Sequence, residues 1–210
     1  MVMAGLGVAA LAIDLPVAVW FQGAGIPSEL RRFLNLCEVF AHATGAAALL
    51  LTALVLDPVL AVPLVRWPRL QPTVAQERMA RMIGATACGG LTVDLIKLCV
   101  SRARPRAIDL VSHDSAWTTF GLIPGTGRHA DSLSFPSGHA AVAFGLCAAL
   151  AWKYPRGRWL FLVFAMSAAL QRVVTSDHYP SDVFVGAALG FLGAALFRGD
   201  SSTAADTRTA

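Results

Sequence analysis

The sequence predicts an all-α membrane protein, folded as one bundle of six transmembrane helices. Of its 210 residues, 56% are hydrophobic and only 14% are charged, whereas a soluble domain carries about 25% charged residues. The mean hydropathy of +0.60 points the same way. An ordinary soluble enzyme is therefore not expected. A disordered chain is excluded, because the sequence is apolar and its net charge is only +4.

A helix that spans a bilayer needs about 20 mostly apolar residues, and six segments approach that length. They are Val2–Phe21, Phe33–Leu56, Val74–Ser101, Ser137–Trp152, Arg158–Thr175 and Pro180–Phe197. The last three reach spanning length only if Arg172 and Asp182 lie at helix ends. The first lacks the basic start and cleavage site of a signal peptide, so we expect a retained helix. We expect one domain over residues 1–198 and a polar, disordered tail over residues 199–210.

The basic residues predict how the bundle is oriented. Lys and Arg cluster near the loops after the second, fourth and sixth spans, at Arg66, Arg69, Arg78, Arg81, Lys153, Arg156, Arg158 and Arg198. By the positive-inside rule these loops and both termini are cytoplasmic. In a bacterium this predicts a multi-pass inner-membrane protein whose other face lies in the periplasm. That face also carries arginines, which breaks the rule unless some of them have another role.

Three polar clusters fall on that outer face. The first is Lys97 with Arg104, after the third span. The second is Ser134–His139, which opens the fourth span. The third joins Arg172, at the end of the fifth span, to His178–Asp182, which opens the sixth. Three separated clusters at one membrane depth predict a common site, because ionisable residues at such depth are functional by default.

The residue types in these clusters suit a phosphate group. Lys97, Arg104 and Arg172 supply three cations, and arginine presents a rigid fork to phosphate oxygens. The backbone amides near Ser137 and Gly138 lie at a helix start, where anions bind readily. We therefore expect these five residues to hold phosphoryl oxygens. No cluster of carboxylates suggests a metal pair, so neither a metal nor another cofactor is expected, and the cations would stabilise the transition state.

Two histidines complete the candidate site. His139 and His178 can divide the roles of nucleophile and general acid. Asp182 follows His178 by four residues, a spacing at which a carboxylate can reach one ring nitrogen and fix the tautomer. The other nitrogen is then free to attack phosphorus.

These clusters resemble the signature of the PAP2 superfamily, the type 2 phosphatidic acid phosphatases. The motif K-x-x-x-x-x-x-R-P fits Lys97–Pro105, and P-S-G-H fits Pro136–His139. The motif S-R-x-x-x-x-x-H-x-x-x-D fits residues 171–182, with Gln171 where the family usually has serine. The resemblance implies the six-helix architecture of the PAP2 phosphatase and vanadium haloperoxidase-like type.

The resemblance also implies an activity, that of a metal-independent hydrolase of phosphoric monoesters or diphosphates. His178 would attack phosphorus, Asp182 would orient it, and His139 would protonate the leaving oxygen. The substrate would be a lipid or prenyl phosphate or diphosphate within the bilayer, and its identity stays open. The alternatives are a lipid phosphotransferase on the same scaffold and a non-enzymatic transport or assembly protein. A nucleic-acid partner is not expected, because no basic stripe with interleaved aromatics occurs.

Several polar residues have two possible roles. Glu38 and His42, four residues apart, and Asp14 are interpreted as contacts between helices in preference to site residues. Arg102 and Arg106 flank the first motif and would either recruit anionic head groups or be solvated. In the loop of residues 106–135, a solvated role is favoured over a role at the substrate entrance for His113, Asp114 and His129. The sequence does not predict the oligomeric state.

Overall fold

The computed structural model describes residues 2–56, 74–122 and 130–198. The described chain forms the helices α1 (Val2–Ala10), α2 (Asp14–Gly23), α3 (Ser28–Glu38), α4 (Ala43–Leu56), α5 (Val74–Lys97), α6 (Gly138–Lys153), α7 (Arg158–Val174) and α8 (Pro180–Phe197). Two short strands, β1 (Val100–Arg102) and β2 (Phe120–Leu122), pair antiparallel between α5 and α6. The predicted all-α class is confirmed. The predicted tail falls outside the described residues.

The predicted number of six spans is not confirmed. Three segments of the described chain are long and apolar enough to cross a membrane, namely Glu77–Lys97, Pro155–Val174 and Pro180–Phe197. A bent pair, Ser28–Ala41 with Ala43–Ala53, makes a fourth if it counts as one span. Helix α6 is apolar but has only 16 residues, so it falls short of the length that a bilayer needs.

The first two predicted spans are each broken into two helices. The single helix predicted over Val2–Phe21 is wrong, because α1 ends at Ala10 and α2 begins at Asp14. Pro16 lies in the first turn of α2 and has no N–H to donate, so a continuous helix would lose a hydrogen bond there. Asp14 is also buried, and it binds residues of other elements.

The single helix predicted over Phe33–Leu56 is wrong as well. Helix α3 continues as a short 3-10 turn, Val39–Ala41, and α4 begins after His42 with the chain bent by 71°. His42 itself is extended, with a ψ of 139°. The bend brings the carbonyl oxygen of Val39 so near to Gly45 that a Cβ there would lie 2.0 Å from it. Glycine at position 45 therefore permits the bend.

Helices α5, α6 and α8 form the centre of the bundle and touch through small residues. A Cβ on Gly186 would lie 2.3 Å from the carbonyl oxygen of Ser137, and one on Gly190 would lie 2.3 Å from that of Ala141. A Cβ on Gly89 would lie 2.7 Å from the Cα of Gly190. Side chains at these glycines would push the helices apart, so small residues permit the close approach of these helices.

The segment between α5 and α6 carries the β1–β2 pair and several 3-10 turns. Arg102 on β1 pairs with Phe120 on β2 and also forms a bridge with Leu133. Helix α2 contacts the 3-10 turn Leu110–Ser112. The described parts of this connection are therefore folded against the helices, and they carry Arg102 and Ser134 into the interior.

Candidate active site

The three predicted motifs meet where α6 and α8 begin and α7 ends. The backbone N–H of Ser137 donates to the carbonyl oxygen of Asp182 at 3.0 Å, which joins the starts of α6 and α8. After α7 the chain curls back, so the N–H groups of Asp177 and His178 both donate to the carbonyl oxygen of Arg172 at 3.1 Å. Ser176 supplies the turn with a left-handed φ of 57°. The second and third motifs therefore adjoin, and Arg104 of the first motif binds Asp177 beside them.

The buried ring of His178 is oriented by a backbone carbonyl. Its Nδ1 lies 2.6 Å from the carbonyl oxygen of Ser134, which can only accept a hydrogen bond. Nδ1 therefore carries the proton, and the lone pair of Nε2 is available. The predicted hydrogen bond from this ring to the carboxylate of Asp182 is not formed, because Asp182 Oδ2 lies 3.8 Å from Nδ1. Burial lowers the pKa of His178 below its ordinary 6.5, although the neighbouring Asp182 opposes the shift.

Asp182 belongs to a fully buried cluster that we call the closed network, made of Asp14, Arg102, Ser134, Ser181 and Asp182. Arg102 donates from Nη1 to Asp182 at 2.5 Å and from Nη2 to Asp14 at 2.7 Å. The Ser134 hydroxyl donates to Asp182 Oδ2 at 2.6 Å. Ser134 thus contacts Asp182 through its side chain and His178 through its carbonyl. Ser134 therefore links Asp182 to His178.

Arg102 is the main functional candidate that the sequence did not reveal. Both proposed roles, a recruiter of head groups and a solvated charge, are wrong, because its side chain is 0% exposed. Its guanidinium lies between two aromatic rings, 4.3 Å from the centroid of Phe120 and 3.9 Å from that of Tyr179. Its Nε donates to Thr119 at 2.9 Å. The expected contact between structural elements is confirmed for its partner Asp14.

A second cluster, the open network, consists of Glu38, Arg104, Arg106, Arg172 and Asp177. Asp177 accepts from Arg104 at 2.8 Å, from Arg172 at 2.5 Å and from Arg106. Burial alone would raise the pKa of Asp177, but the three arginines hold it below its ordinary 3.8. Sequence reasoning missed Asp177, whose only signal is its place beside His178.

Several donors of this region have no protein partner. Among the described residues, the buried side-chain atoms without a hydrogen bond are Arg104 Nε, Arg172 Nε, His139 Nε2 and Tyr179 Oη. Buried polar groups are nearly always paired, so each exception needs an explanation. Three of the four belong to residues that the motifs assign to phosphate binding or catalysis. Two arginines that both bind Asp177 thus keep an unused donor each, which matches the need of an anion.

The start of α6 adds backbone donors. The N–H groups of Gly138 and His139 make no backbone hydrogen bond, as expected in a first helical turn. A Cβ on Gly138 would meet only Val93, at 3.7 Å, so packing does not require the glycine. In the described chain the Lys97 ammonium makes no hydrogen bond or ion pair, and it interacts electrostatically with Arg104. These groups suit an anion at the helix start.

Glu38 of α3 contacts both α7, through Arg172 and Gln171, and His139 of α6. Its Oε1 accepts from Arg172 at 2.5 Å, and its Oε2 accepts from Gln171 at 3.2 Å. Gln171 also donates to Asn35 at 3.3 Å, so its amide is directed to α3. The favoured interpretation of Glu38 as a contact between helices is confirmed, and the carboxylate also lies 3.9 Å from Nε2 of His139.

Two of the other loop candidates, His113 and Asp114, lie away from these contacts. His113 binds locally, with its Nδ1 3.0 Å from the carbonyl oxygen of Asp109, and Asp114 is exposed. His129 falls outside the described residues. Arg106 is 46% exposed but pairs with Asp177 and Asp131, so it is more than a solvated charge.

Comparisons with known proteins agree on one family. The model of the PAP2 superfamily matches residues 78–204. The lipid A 1-phosphatase of Rhizobium etli is 39% identical over 101 residues, which cover 48% of this chain and 40% of that protein. The undecaprenyl-diphosphatase BcrC of Bacillus subtilis is 32% identical over 114 residues, covering 52% of this chain and 53% of that protein. The chain thus spans about half the length, or less, of these curated relatives.

A crystal structure of Aquifex aeolicus LpxE shares the fold. It superposes with a TM-score of 0.60, and the match covers 88% of this chain and 94% of that one at 19% identity. The three motifs therefore lie within a known helical architecture.

Proposed function

Because the chain belongs to the PAP2 superfamily, we propose that it is a metal-independent membrane phosphatase that removes phosphate from a lipid or prenyl phosphate or diphosphate. The observation that carries the proposal is the set of buried, unpaired donors on Arg104, Arg172 and His139, gathered around the buried nucleophile candidate His178. The names of the relatives, a lipid A 1-phosphatase and an undecaprenyl-diphosphatase, support the substrate class.

The first chemical step is nucleophilic substitution at phosphorus. The phosphoryl oxygens lie among Lys97, Arg104, Arg172 and the amides at Ser137 and Gly138. Nε2 of His178 attacks, since its Nδ1–H is held by the carbonyl oxygen of Ser134 at 2.6 Å. A bond from Nε2 to phosphorus forms while the bond from phosphorus to the leaving oxygen breaks.

His139 supplies the proton that the leaving oxygen needs. General acid catalysis of this kind contributes roughly 10²–10⁴-fold. The neutral His139 then takes a proton from water, which attacks the phosphohistidine and releases inorganic phosphate and His178. Developing negative charge is stabilised by the arginines in a site with little water, where fixed donors are most effective. No step requires a metal.

A groove beside the site suits an aliphatic chain. It has a volume of about 340 Å³, lies between α4 and α5 and is lined by apolar side chains such as Leu50 and Ile83. Its lining includes Ala43, which follows His42 in the chain, and Val142, one helical turn from His139. A lipid tail lying here would present its head group at the start of α6.

The site occupies the periplasmic side of a bacterial inner membrane. Support comes from the helices that carry it, because their other ends hold the basic residues. Helix α6 starts at the site and ends at Lys153, and α8 starts at the site and ends before Arg198. Helix α7 runs from Arg158 to the site. The positive-inside rule places those basic ends in the cytoplasm.

The test is phosphate release by purified protein in detergent with EDTA, across phosphatidic acid, phosphatidylglycerol phosphate, undecaprenyl diphosphate and lipid A. We expect release from at least one substrate, and rapid quenching of labelled substrate should trap a phosphoprotein. His178→Ala should reduce both to background, while the matched control His113→Ala should retain both. No release from any substrate would refute the proposal, and loss of release with EDTA alone would refute the metal-free mechanism.

The same labelled substrate separates hydrolysis from phosphoryl transfer. We expect the label to appear in inorganic phosphate. Its appearance in a second lipid instead would identify a phosphotransferase on the same scaffold.

A further inference from the structure

One cluster of metal-binding side chains borders the site and includes His139, although the proposed reaction needs no metal. Glu38, His42 and His139 each offer one ligand atom, and these three atoms all lie within 4.8 Å of one another. The Nε2 atom of His42 lies 3.3 Å from Oε1 of Glu38, and that of His139 lies 3.9 Å from the same oxygen. The two imidazole rings meet edge to face, with centroids 4.7 Å apart.

The cluster lies at the break between α3 and α4. His42 lies at the break, four residues after Glu38, and the 71° bend turns the chain there. His139 comes from the first turn of α6, and its Nε2 has no hydrogen-bond partner. Two distant parts of the chain thus converge on one point.

We propose that Glu38, His42 and His139 bind a divalent transition-metal ion, best Zn²⁺, and that the bound ion inhibits the phosphatase. Two imidazoles and one carboxylate form a donor set that zinc accepts in three-ligand sites with an open fourth position. Mg²⁺ and Ca²⁺ prefer oxygen ligands throughout, so neither suits this site.

The distances are close to those that zinc requires. Two ligand atoms about 2.1 Å from the ion, at the tetrahedral angle, lie about 3.4 Å apart. Glu38 and His42 already stand at 3.3 Å. Only His139 must approach, and its Nε2 has no other partner to leave. The side chains of His42, Glu38 and His139 are 51%, 22% and 28% exposed, so an ion can enter from solvent.

Competition within the protein limits the affinity. Oε1 of Glu38 accepts from Arg172 at 2.5 Å, so the ion must displace that guanidinium group. Arg172 then keeps its contact with Asp177. Its positive charge stays nearby and repels the ion, so we expect micromolar dissociation constants, weaker than those of structural zinc sites.

Inhibition follows from the role of His139 and therefore rests on the proposed function. A ring nitrogen that donates its lone pair to zinc cannot carry the proton that the leaving oxygen needs. The ion would also place positive charge where Glu38 now neutralises Arg172. Zinc is thus an inhibitor that leaves the metal-free mechanism intact.

The experiment measures binding and activity separately on the full chain in detergent. Equilibrium dialysis of EDTA-treated protein with Zn²⁺ should give one ion per chain. Co²⁺ as a substitute should give the visible absorption of a tetrahedral site. His42→Ala should weaken both at least tenfold, whereas the matched control His113→Ala should not.

In the activity arm, Zn²⁺ should inhibit phosphate release by the unaltered protein, and Mg²⁺ should not. His42→Ala should keep its basal activity and lose the inhibition. Zinc binding that is indifferent to His42→Ala would overturn the metal site, even in an active enzyme. Binding that depends on His42 without inhibition would overturn the regulatory half. Dependence on His42 in a protein without any phosphatase activity would preserve the site and refute the proposed function.

Discussion

The closed and open networks both adjoin His178 and use the same residue types in opposite ways. In the closed network Arg102 and its two carboxylate partners are 0% exposed, and all three of its guanidinium nitrogens are bonded. In the open network the side chain of Arg104 is 17% exposed and its Nε has no partner. An arginine whose donors are all bonded, such as Arg102, fixes the orientation of its carboxylate partners. An arginine that keeps an unused donor, such as Arg104, can also bind an anion.

The two networks also differ in what their disruption should cost. Buried charges are tolerated only when each has its partners. Removal of one partner leaves the other charge buried and uncompensated, at the full cost of its desolvation. Half-exposed charges are screened by water and lose less. The closed network should therefore govern stability, and the open network should govern substrate binding and catalysis.

The largest expected effect is that of Arg102→Met on stability. The substitution leaves Asp14 and Asp182 buried without a cation, so the free energy of unfolding should fall by about 3–5 kcal/mol. Denaturant unfolding in detergent measures this. Arg106→Met is the control: its side chain is 46% exposed, and its loss should cost at most about 1 kcal/mol. Equal losses in the two variants would remove the distinction between the networks.

The next effect is that of Arg104→Lys on catalysis. Lysine can keep an ion pair with Asp177 but has no Nε to offer the phosphoryl group. Loss of one charge-assisted hydrogen bond, worth about 1.5–3 kcal/mol, should lower kcat/KM roughly 10- to 150-fold. The free energy of unfolding should change by no more than about 1 kcal/mol.

Arg106→Lys is the matched control for this change. Arg106 binds the same oxygen of Asp177, yet sequence and structure give it no place among the phosphate ligands. Its kcat/KM should fall less than about threefold. A loss as large as that of Arg104→Lys would mean that general charge, not the unpaired donor, supports the reaction.

A third prediction concerns the protonation of His178. Burial lowers its pKa, so the neutral, nucleophilic ring should persist below pH 6.5 and disappear only as the pH falls through the lowered value. Nitrogen NMR of histidine-labelled protein reports protonation directly. Unlike a pH profile of activity, it needs no substrate, whose phosphate also titrates. The His178 signal, identified by its absence in His178→Ala, should titrate with a midpoint below 6.5. A midpoint at or above 6.5 would contradict the conclusion that burial controls the pKa of His178.

Arg104 and Arg172 of the open network were predicted from the sequence, whereas Asp177 of that network and the buried role of Arg102 in the closed network were not. Arg104, Arg172 and His178 stand at fixed spacings beside helix ends, so helix counting already brings them together. Arg102 stands next to the first motif and looks like a surface charge. Its partner Asp14 is 88 residues away, and no periodicity connects the two.

The helix breaks escaped prediction for a related reason. Hydropathy averages over a window and does not register that Pro16 interrupts a backbone ladder or that Gly45 permits a sharp bend. The bend turns the chain just where Glu38 and His42 face His139, a neighbour that the sequence did not indicate.

The smallest expected effect is that of Gln171→Ser, which restores the residue usual in the family motif. Gln171 lies in α7 and donates two hydrogen bonds to α3, one of 3.2 Å to Glu38 of the open network and one of 3.3 Å to Asn35. Serine is too short to reach either, so the unfolding free energy should fall by about 1 kcal/mol. No unpaired donor is removed, and kcat/KM should change less than about tenfold. A fall in kcat/KM as large as that of Arg104→Lys would instead mean that the amide of Gln171 contacts the substrate.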